Sequence, residues 1–135
     1  MTLQAIRSFI ETSVSDAFST LATPVPVVFD NVGGEPPATE YVQLTVVYNG
    51  FTEPVLCLQE NGIENITGTI QMAIRSPRGN GMGRLEELGA VAMNVLNKLK
   101  KDGFSAGGAL GPVHVLSGDD PLALSNVSAP FTATG

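Results

Sequence analysis

Apolar residues recur at three-and-four spacing over residues 3–21: Leu3, Ile6, Phe9, Ile10, Val14, Ala17, Phe18 and Leu21 fall on one stripe. That period predicts an amphipathic helix. Thr2 is its expected N-cap, and Pro24 and Pro26 close it. The pattern then changes period. Val25 to Asp30 is a short β-branched run that reads as a strand, and residues 31–39 read as a loop around Pro36–Pro37. From Tyr41 to Tyr48 the chain alternates, with Val42, Leu44, Val46 and Tyr48 on one face and Gln43 and Thr45 on the other. Asn49–Gly50 reads as a turn, Val55 to Gln59 as a third strand, and Asn61–Gly62 as a second turn. A fourth strand spans about residues 64–75, with Ile66, Ile70, Met72 and Ile74 on one face. Three alternating runs joined by two Asn-Gly turns predict an antiparallel meander.

Ser76 to Gly83 is a Gly-rich loop that feeds a second helix, expected over residues 82–101. Leu85, Leu88, Ala92, Val95, Leu96 and Leu99 form its apolar stripe, which is expected to pack on the even-numbered face of the meander. Glu86 and Glu87 near its start and Lys98, Lys100 and Lys101 near its end follow the helix dipole, and Gly103 is the expected C-cap. Beyond it come a loop at 106–112, a short strand at 113–116, a turn at 117–121 and a strand at 122–127. The remainder reads as a loose tail in which Phe131, after Pro130, is an isolated anchor. The predicted fold is α+β: an antiparallel-dominated sheet of four to six strands with two helices packed on one face. It forms a single domain over residues 1–135, with 125–135 a flexible C-terminal arm.

Composition sharpens this picture. Charged residues are 15% of the 135, well under the usual share of about 25%. The surface is therefore built from uncharged polar residues, or part of it is covered by another subunit. No apolar run approaches the roughly 20 residues of a membrane-spanning helix. The N-terminus lacks the basic-then-apolar pattern of a secretory signal, so no membrane association is expected. The net charge of −6 argues against tight wrapping of nucleic acid. That charge is segregated. Residues 1–74 carry Arg7 against eight acids, residues 75–101 carry six bases against Glu86 and Glu87, and residues 102–135 carry three acids and no base. Such a distribution suits self-association in which a basic strip meets an acidic face.

Candidate chemistry is sparse. His114, the single histidine, sits between Val113 and Val115 in an expected strand, where a structural role is the default. Cys57, the single cysteine, lies in an apolar run and reads as a small buried hydrophobe. Asp119–Asp120 precede a proline and read as a turn, with no third ligand at a regular offset. Gly79, Gly81 and Gly83 before a helix invite a test for phosphate binding. The Lys and hydroxyl of a P-loop are missing, and the glycine spacing is not that of a dinucleotide site. No catalytic residue, metal or cofactor is expected.

One order of motifs is distinctive. Phe29-Asp30-Asn31 is followed by Pro36–Pro37, by a strand opening Glu40-Tyr41-Val42, and by Gly68-Thr-Ile-Gln-Met-Ala-Ile-Arg-Ser-Pro77. The Gly79-x-Gly81-x-Gly83 loop and a long helix complete it. Over about residues 3–101 this resembles the bacteriophage tail terminator, or tail completion, proteins and their relatives of unknown function. The resemblance implies a structural virion protein: a homo-oligomeric ring, a hexamer, that caps the tail tube and joins the tail to the head-side neck. Its implied partners are further copies of itself, the tail tube protein, a neck or stopper protein and a sheath protein. DNA would pass through the ring without sequence-specific binding. The implied location is the tail end of the virion, assembled in the host cytoplasm. Arg75, Arg78, Gly79, Gly81, Gly83 and Arg84 are the candidates for a subunit interface or channel lining, and Phe131 for a partner-contacting arm. The alternatives are another neck protein, such as a stopper or head-completion protein, or a non-viral module binding a small molecule or nucleotide through the Gly-rich loop.

Overall fold

The computed structural model describes residues 3–21, 24–29, 40–52, 65–77, 81–115 and 122–134. The order of elements is α1 (Leu3–Ser19), β1 (Val27–Phe29), β2 (Tyr41–Thr52), β3 (Asn65–Pro77), α2 (Gly81–Asn97), β4 (Lys100–Lys101), β5 (Phe104–Ala106), β6 (Leu110–Val115) and β7 (Leu122–Thr134). The seven strands form one sheet in the order β1-β2-β3-β7-β5-β4, with β6 paired to β7 beside β5. Only the β1–β2 pairing is parallel, so the fold is α+β with a largely antiparallel sheet.

Register explains how the core is assembled. Val42, Leu44 and Val46 of β2 lie opposite Ile74, Met72 and Ile70 of β3. Those three in turn lie opposite Ser125, Val127 and Ala129 of β7. Alternation therefore turns all nine to the same face, where they are buried. They share one core with Ile6, Ile10, Val14 and Phe18 of α1 and with Leu85, Leu88, Ala92 and Leu96 of α2. The i, i+4 spacing of the α1 residues puts them on one stripe, and each is fully buried. Gln43 and Gln71, at odd positions of β2 and β3, and Asn126 and Thr132, at even positions of β7, are exposed on the other face.

The largest departure from the sequence reading is at the C-terminus. Residues 122–134 are not an arm but a 13-residue strand lying between β3 on one side and β5 and β6 on the other. Phe131 is 2% exposed. Its ring stacks on Phe104 at 5.4 Å and meets Tyr48 edge-on at 6.2 Å. Phe104 also meets Phe9 edge-on at 5.3 Å, so an aromatic chain links α1, β5, β7 and β2. Gly68 lies directly opposite Phe131 in the β3–β7 register. A Cβ there would stand 2.5 Å from the Phe131 ring and 2.5 Å from the Val47 carbonyl oxygen. Only glycine lets the ring lie across the strand.

Pro130 explains how a central strand accommodates a proline. Its carbonyl accepts from Gly107 N–H at 3.3 Å, and a strand residue's N and O point to the same side. On that side β6 ends its pairing at Ser128 and β5 begins at Phe131. The missing N–H thus falls in the gap between two partner strands, where no ladder bond is lost.

Other boundaries also shift. Asn49–Gly50 is not a turn: β2 runs through it, with Asn49 as an extra residue between the pairs Tyr48↔Gly68 and Gly50↔Thr67, a β-bulge. Because β2 pairs directly with β3, no third strand separates them. The expected strand at 55–59 and the Asn61–Gly62 turn lie outside the described residues, as do Thr2, the loop at 31–39 and the turn at 117–121. α2 stops at Asn97, four residues early, and starts at Gly81, so Glu86 and Glu87 miss its first turn and the lysines lie beyond its end. Lys100 and Lys101 instead pair with Ser105 and Phe104 as β4. Gly103 does take a positive φ of 82°, but in the two-residue Asp102–Gly103 turn of this hairpin and not as a helix cap.

Candidate functional site

The candidate interface residues lie where β3 passes into α2. β3 extends to Pro77 and α2 begins at Gly81, so the Gly-rich loop is shorter than expected. Arg78 and Gly79 lie outside the described residues. Gly81 and Gly83 belong to the helix itself. Gly83 is exposed, and a Cβ there would meet nothing within 4 Å. Its glycine is thus required neither by a left-handed backbone nor by a close neighbour within the chain.

Strand alternation separates Arg75 from its neighbour Ser76. Arg75 is half-buried on the open, odd-numbered face, whereas Ser76 is 1% exposed on the core side. The Ser76 hydroxyl donates to Glu40 Oε2 at 3.1 Å. Arg84, one turn into α2, clasps the same carboxylate with both arms of its guanidinium. Nη2 lies 2.6 Å from Oε1, and Nε lies 2.9 Å from Oε2. A third contact runs from Nη1 to the exposed Glu87 at 3.1 Å. The forked geometry is the one Arg offers to a carboxylate. The Arg84 hydrogen bond holds the Glu40 carboxyl below its ordinary value; burial opposes this, while the charge of Arg84 and the Ser76 hydroxyl reinforce it. The same bond raises Arg84. Arg84 was expected to face a neighbour or a channel. Within its own chain it is paired with Glu40, tying α2 to the start of β2 and the end of β3. Of the described arginines in this cluster, Arg75 lies on the open face of β3 and Arg84 on the Glu40 carboxylate.

The sequence reading also missed the open face of the sheet. Gln43 and Thr45 of β2, Gln71 of β3, and Asn126 and Ser128 of β7 line a shallow concavity of about 390 Å³. Every one of these side chains is polar and uncharged. The alternation of β2 and β3 pointed to this face; its extension across β7 was hidden by the reading of that segment as an arm.

Among the described residues, no three His, Cys, Asp or Glu side chains come close enough to hold a metal ion. The backbone of His114 sits in β6 opposite Ser125. Cys57 and Asp119–Asp120 lie outside the described residues. No helix of the described residues is long and apolar enough to cross a membrane.

No family model matches the chain, and no curated protein matches it either. Among solved structures, 22 chains match, so the fold recurs beyond this sequence. One of them, a protein bearing only a serial designation, superposes with a TM-score of 0.73 over 98% of this chain and 96% of its own length. Its sequence identity is 17%, so the likeness is one of fold: nearly the whole of each chain follows the same architecture.

Proposed function

We propose that this chain is a structural virion protein, a tail terminator whose copies form a hexameric ring that caps the phage tail tube and joins it to the neck. The carrying observation is a largely polar concavity on the open face of the sheet, where Gln43, Thr45, Gln71, Asn126 and Ser128 stand around Ala73 with no charged side chain in the lining. In this reading both helices pack on the buried face and leave the polar one free. A surface of amides and hydroxyls can meet another protein through hydrogen bonds, or stand beside DNA without gripping its phosphates, because it offers no cationic row. The motif order over residues 3–101 supports the same reading.

The partners in this proposal are further copies of the chain, the tail tube protein, a neck or stopper protein and, on a contractile tail, the sheath. The protein carries out no chemical step and needs no cofactor. It acts at the tail end of the virion after assembly in the host cytoplasm.

The test is tail length. Purified tail tube protein polymerised with this protein should give tubes of bounded length with a ring at one end in negative-stain micrographs. Tubes of unchanged length distribution, without rings, refute the proposal. If the chain instead binds a nucleotide, addition of that nucleotide raises its melting temperature by mass action. A stopper would bind the head-side complex but leave tube length unbounded.

A further inference from the structure

The open face of the sheet is not polar throughout. Among the described residues, the large apolar side chains that stand exposed are Val47, Leu110 and Val113, and register puts all three on this face. Val47 lies opposite Thr69, which lies opposite the exposed Pro130. Leu110 lies opposite Ser128 and Val113 opposite Asn126; the register shift between them turns both to the side of Gln71 and Gln43. Leu110 is 68% exposed and Val113 59%. An oblique apolar band from Val47 through Pro130 and Leu110 to Val113 therefore borders the polar concavity. β6 is an edge strand, since no described strand pairs with its other side. Its Pro112 and irregular register suit it poorly to accept a further strand, so it offers side chains and not a backbone ladder.

We infer that the apolar run at residues 55–58 of one copy docks on the Val47–Leu110–Val113 band of a second copy of this chain. The inference rests on the self-association in the proposed function and not on its phage setting. Residues 53–64 join Thr52 of β2 to Asn65 of β3 and contain Val55-Leu56-Cys57-Leu58. Every copy thus carries both an apolar run at the end of the sheet and an apolar band on its face, and burying one against the other removes both from water. Charge at the flanks is compatible. Residues 53–64 carry Glu53, Glu60 and Glu64 and no base, while the described strands of the open face carry Arg75 and Lys100 and no acid.

Reach decides that the partner is another copy. Val113 stands in the row of Ala73, about 26 Å along β3 from Asn65 at roughly 3.3 Å per residue. Leu58, seven residues before Asn65, extends at most about 24 Å from it, with nothing left to cross two strand spacings of about 4.8 Å to β6. Val55, three residues past Thr52, extends only about 10 Å. The run therefore cannot lie along the band of its own chain. Because run and band are different surfaces, the contact is heterologous, the kind from which a ring closes.

Cross-linking tests this directly. Cys57 is the single cysteine, and Val113→Cys adds a thiol on the band. Mild oxidation should link Cys57 of one copy to the introduced thiol of another, giving covalent multimers on a non-reducing gel and a 57–113 peptide pair in mass spectra. Asp16→Cys, on α1 behind the sheet, should give no such pair with Cys57. Sedimentation velocity should show the parent associating, and both L56S/L58S and L110S/V113S associating at least about tenfold more weakly, the least that full burial of a leucine supplies. Circular dichroism checks that each variant is folded; should L56S/L58S unfold, the exposed-face variant and the cross-link carry the test. Raising salt to about 1 M should leave the parent's association unchanged or tighter, because it screens the repulsion between copies at −6 without weakening apolar contact. A monomeric parent, a 57–113 link formed only within one chain, no link at all, an L110S/V113S variant that assembles like the parent, or association that weakens with salt each overturn the inference. Bounded tail tubes made equally well by L110S/V113S leave the terminator reading standing without this contact. A cross-linked assembly that never bounds tube length keeps the contact and removes the terminator reading.

Discussion

Replacing Phe131 with alanine separates a core strand from a loose arm. The side chain is 2% exposed and packs between Phe104, Tyr48 and the bare backbone at Gly68. Truncating a buried Phe to Ala costs about 3–5 kcal/mol, the sum of lost transfer energy and the cavity left behind. The upper part of that range is expected here, because the Phe104 stack and the Tyr48 edge contact are lost with the ring, and each such pair is worth about 0.5–1.5 kcal/mol. At about 2.1 cal/mol/K per residue, the unfolding entropy of 135 residues is about 0.28 kcal/mol/K, so a loss of about 4–5 kcal/mol should lower the melting temperature by about 14–18 °C. Phe131→Leu keeps much of the apolar bulk but loses both ring contacts, so it should cost about 1–3 kcal/mol, less than the alanine variant. Urea denaturation followed by far-UV circular dichroism gives the free energy, and calorimetry gives the midpoint. A chain ending at Ser125 should fail to fold, since it loses the partner of β3 and of β5 along most of their length. A Phe131→Ala protein that melts within 2 or 3 °C of the parent, less than about 1 kcal/mol on the same entropy scale, would refute this account of the core.

Three further perturbations probe separate features. Gly68→Ala places a methyl 2.5 Å from both the Phe131 ring and the Val47 carbonyl; overpacking of this kind should cost about 1–3 kcal/mol by denaturant titration. Glu40→Gln keeps one accepting oxygen but removes the charge and the second acceptor of the Arg84 fork, which should cost about 1.5–3 kcal/mol near neutrality. Because folding depresses the Glu40 carboxyl, its contribution is present above the unfolded value of about 4.3 and is lost as pH falls through the lower folded one. Parent and variant melting curves should therefore converge below about pH 4, and a gap that persists into acid counts against the assignment. Gly83→Ala, in open space on α2, should raise stability by about 0.5–1 kcal/mol; a loss of stability would mean that a neighbour does approach the site.

The residues that were legible and those that were not differ in a physical way. In α1, Ile6, Ile10, Val14 and Phe18 are large and strictly spaced, so local pattern alone identifies their face. The same holds for Val42, Leu44 and Val46 opposite Ile74, Met72 and Ile70. In β7 the buried positions Val127, Ala129, Phe131 and Ala133 alternate as faithfully with Ser128, Pro130 and Thr132. There the signal is faint because alanine contributes little hydrophobicity and because proline argues against a central strand. Gly103 was legible as a positive-φ residue but not as part of a hairpin, since helix ends and tight turns demand the same backbone. Arg84 shows the limit for the candidate site. Its charge could be read from the chain, but its partner lies 44 residues away.

What the sequence by itself determined is the set of local faces, two amphipathic helices and the alternating strands, which follow from the 3.6- and 2-residue periods, and the uneven spread of charge along the chain. What only the tertiary structure decided is how those faces are shared. A central strand position for residues 122–134 exists because β3 offers a free edge and Gly68 leaves space for an aromatic ring. Pro130 is tolerated there because its missing N–H falls in a gap between β5 and β6, a gap set by where two other strands happen to stop. Glu40, Ser76 and Arg84 meet because β2, β3 and α2 converge at one end of the sheet. Each of these depends on the distance between residues far apart in the chain, and no local period encodes such a distance.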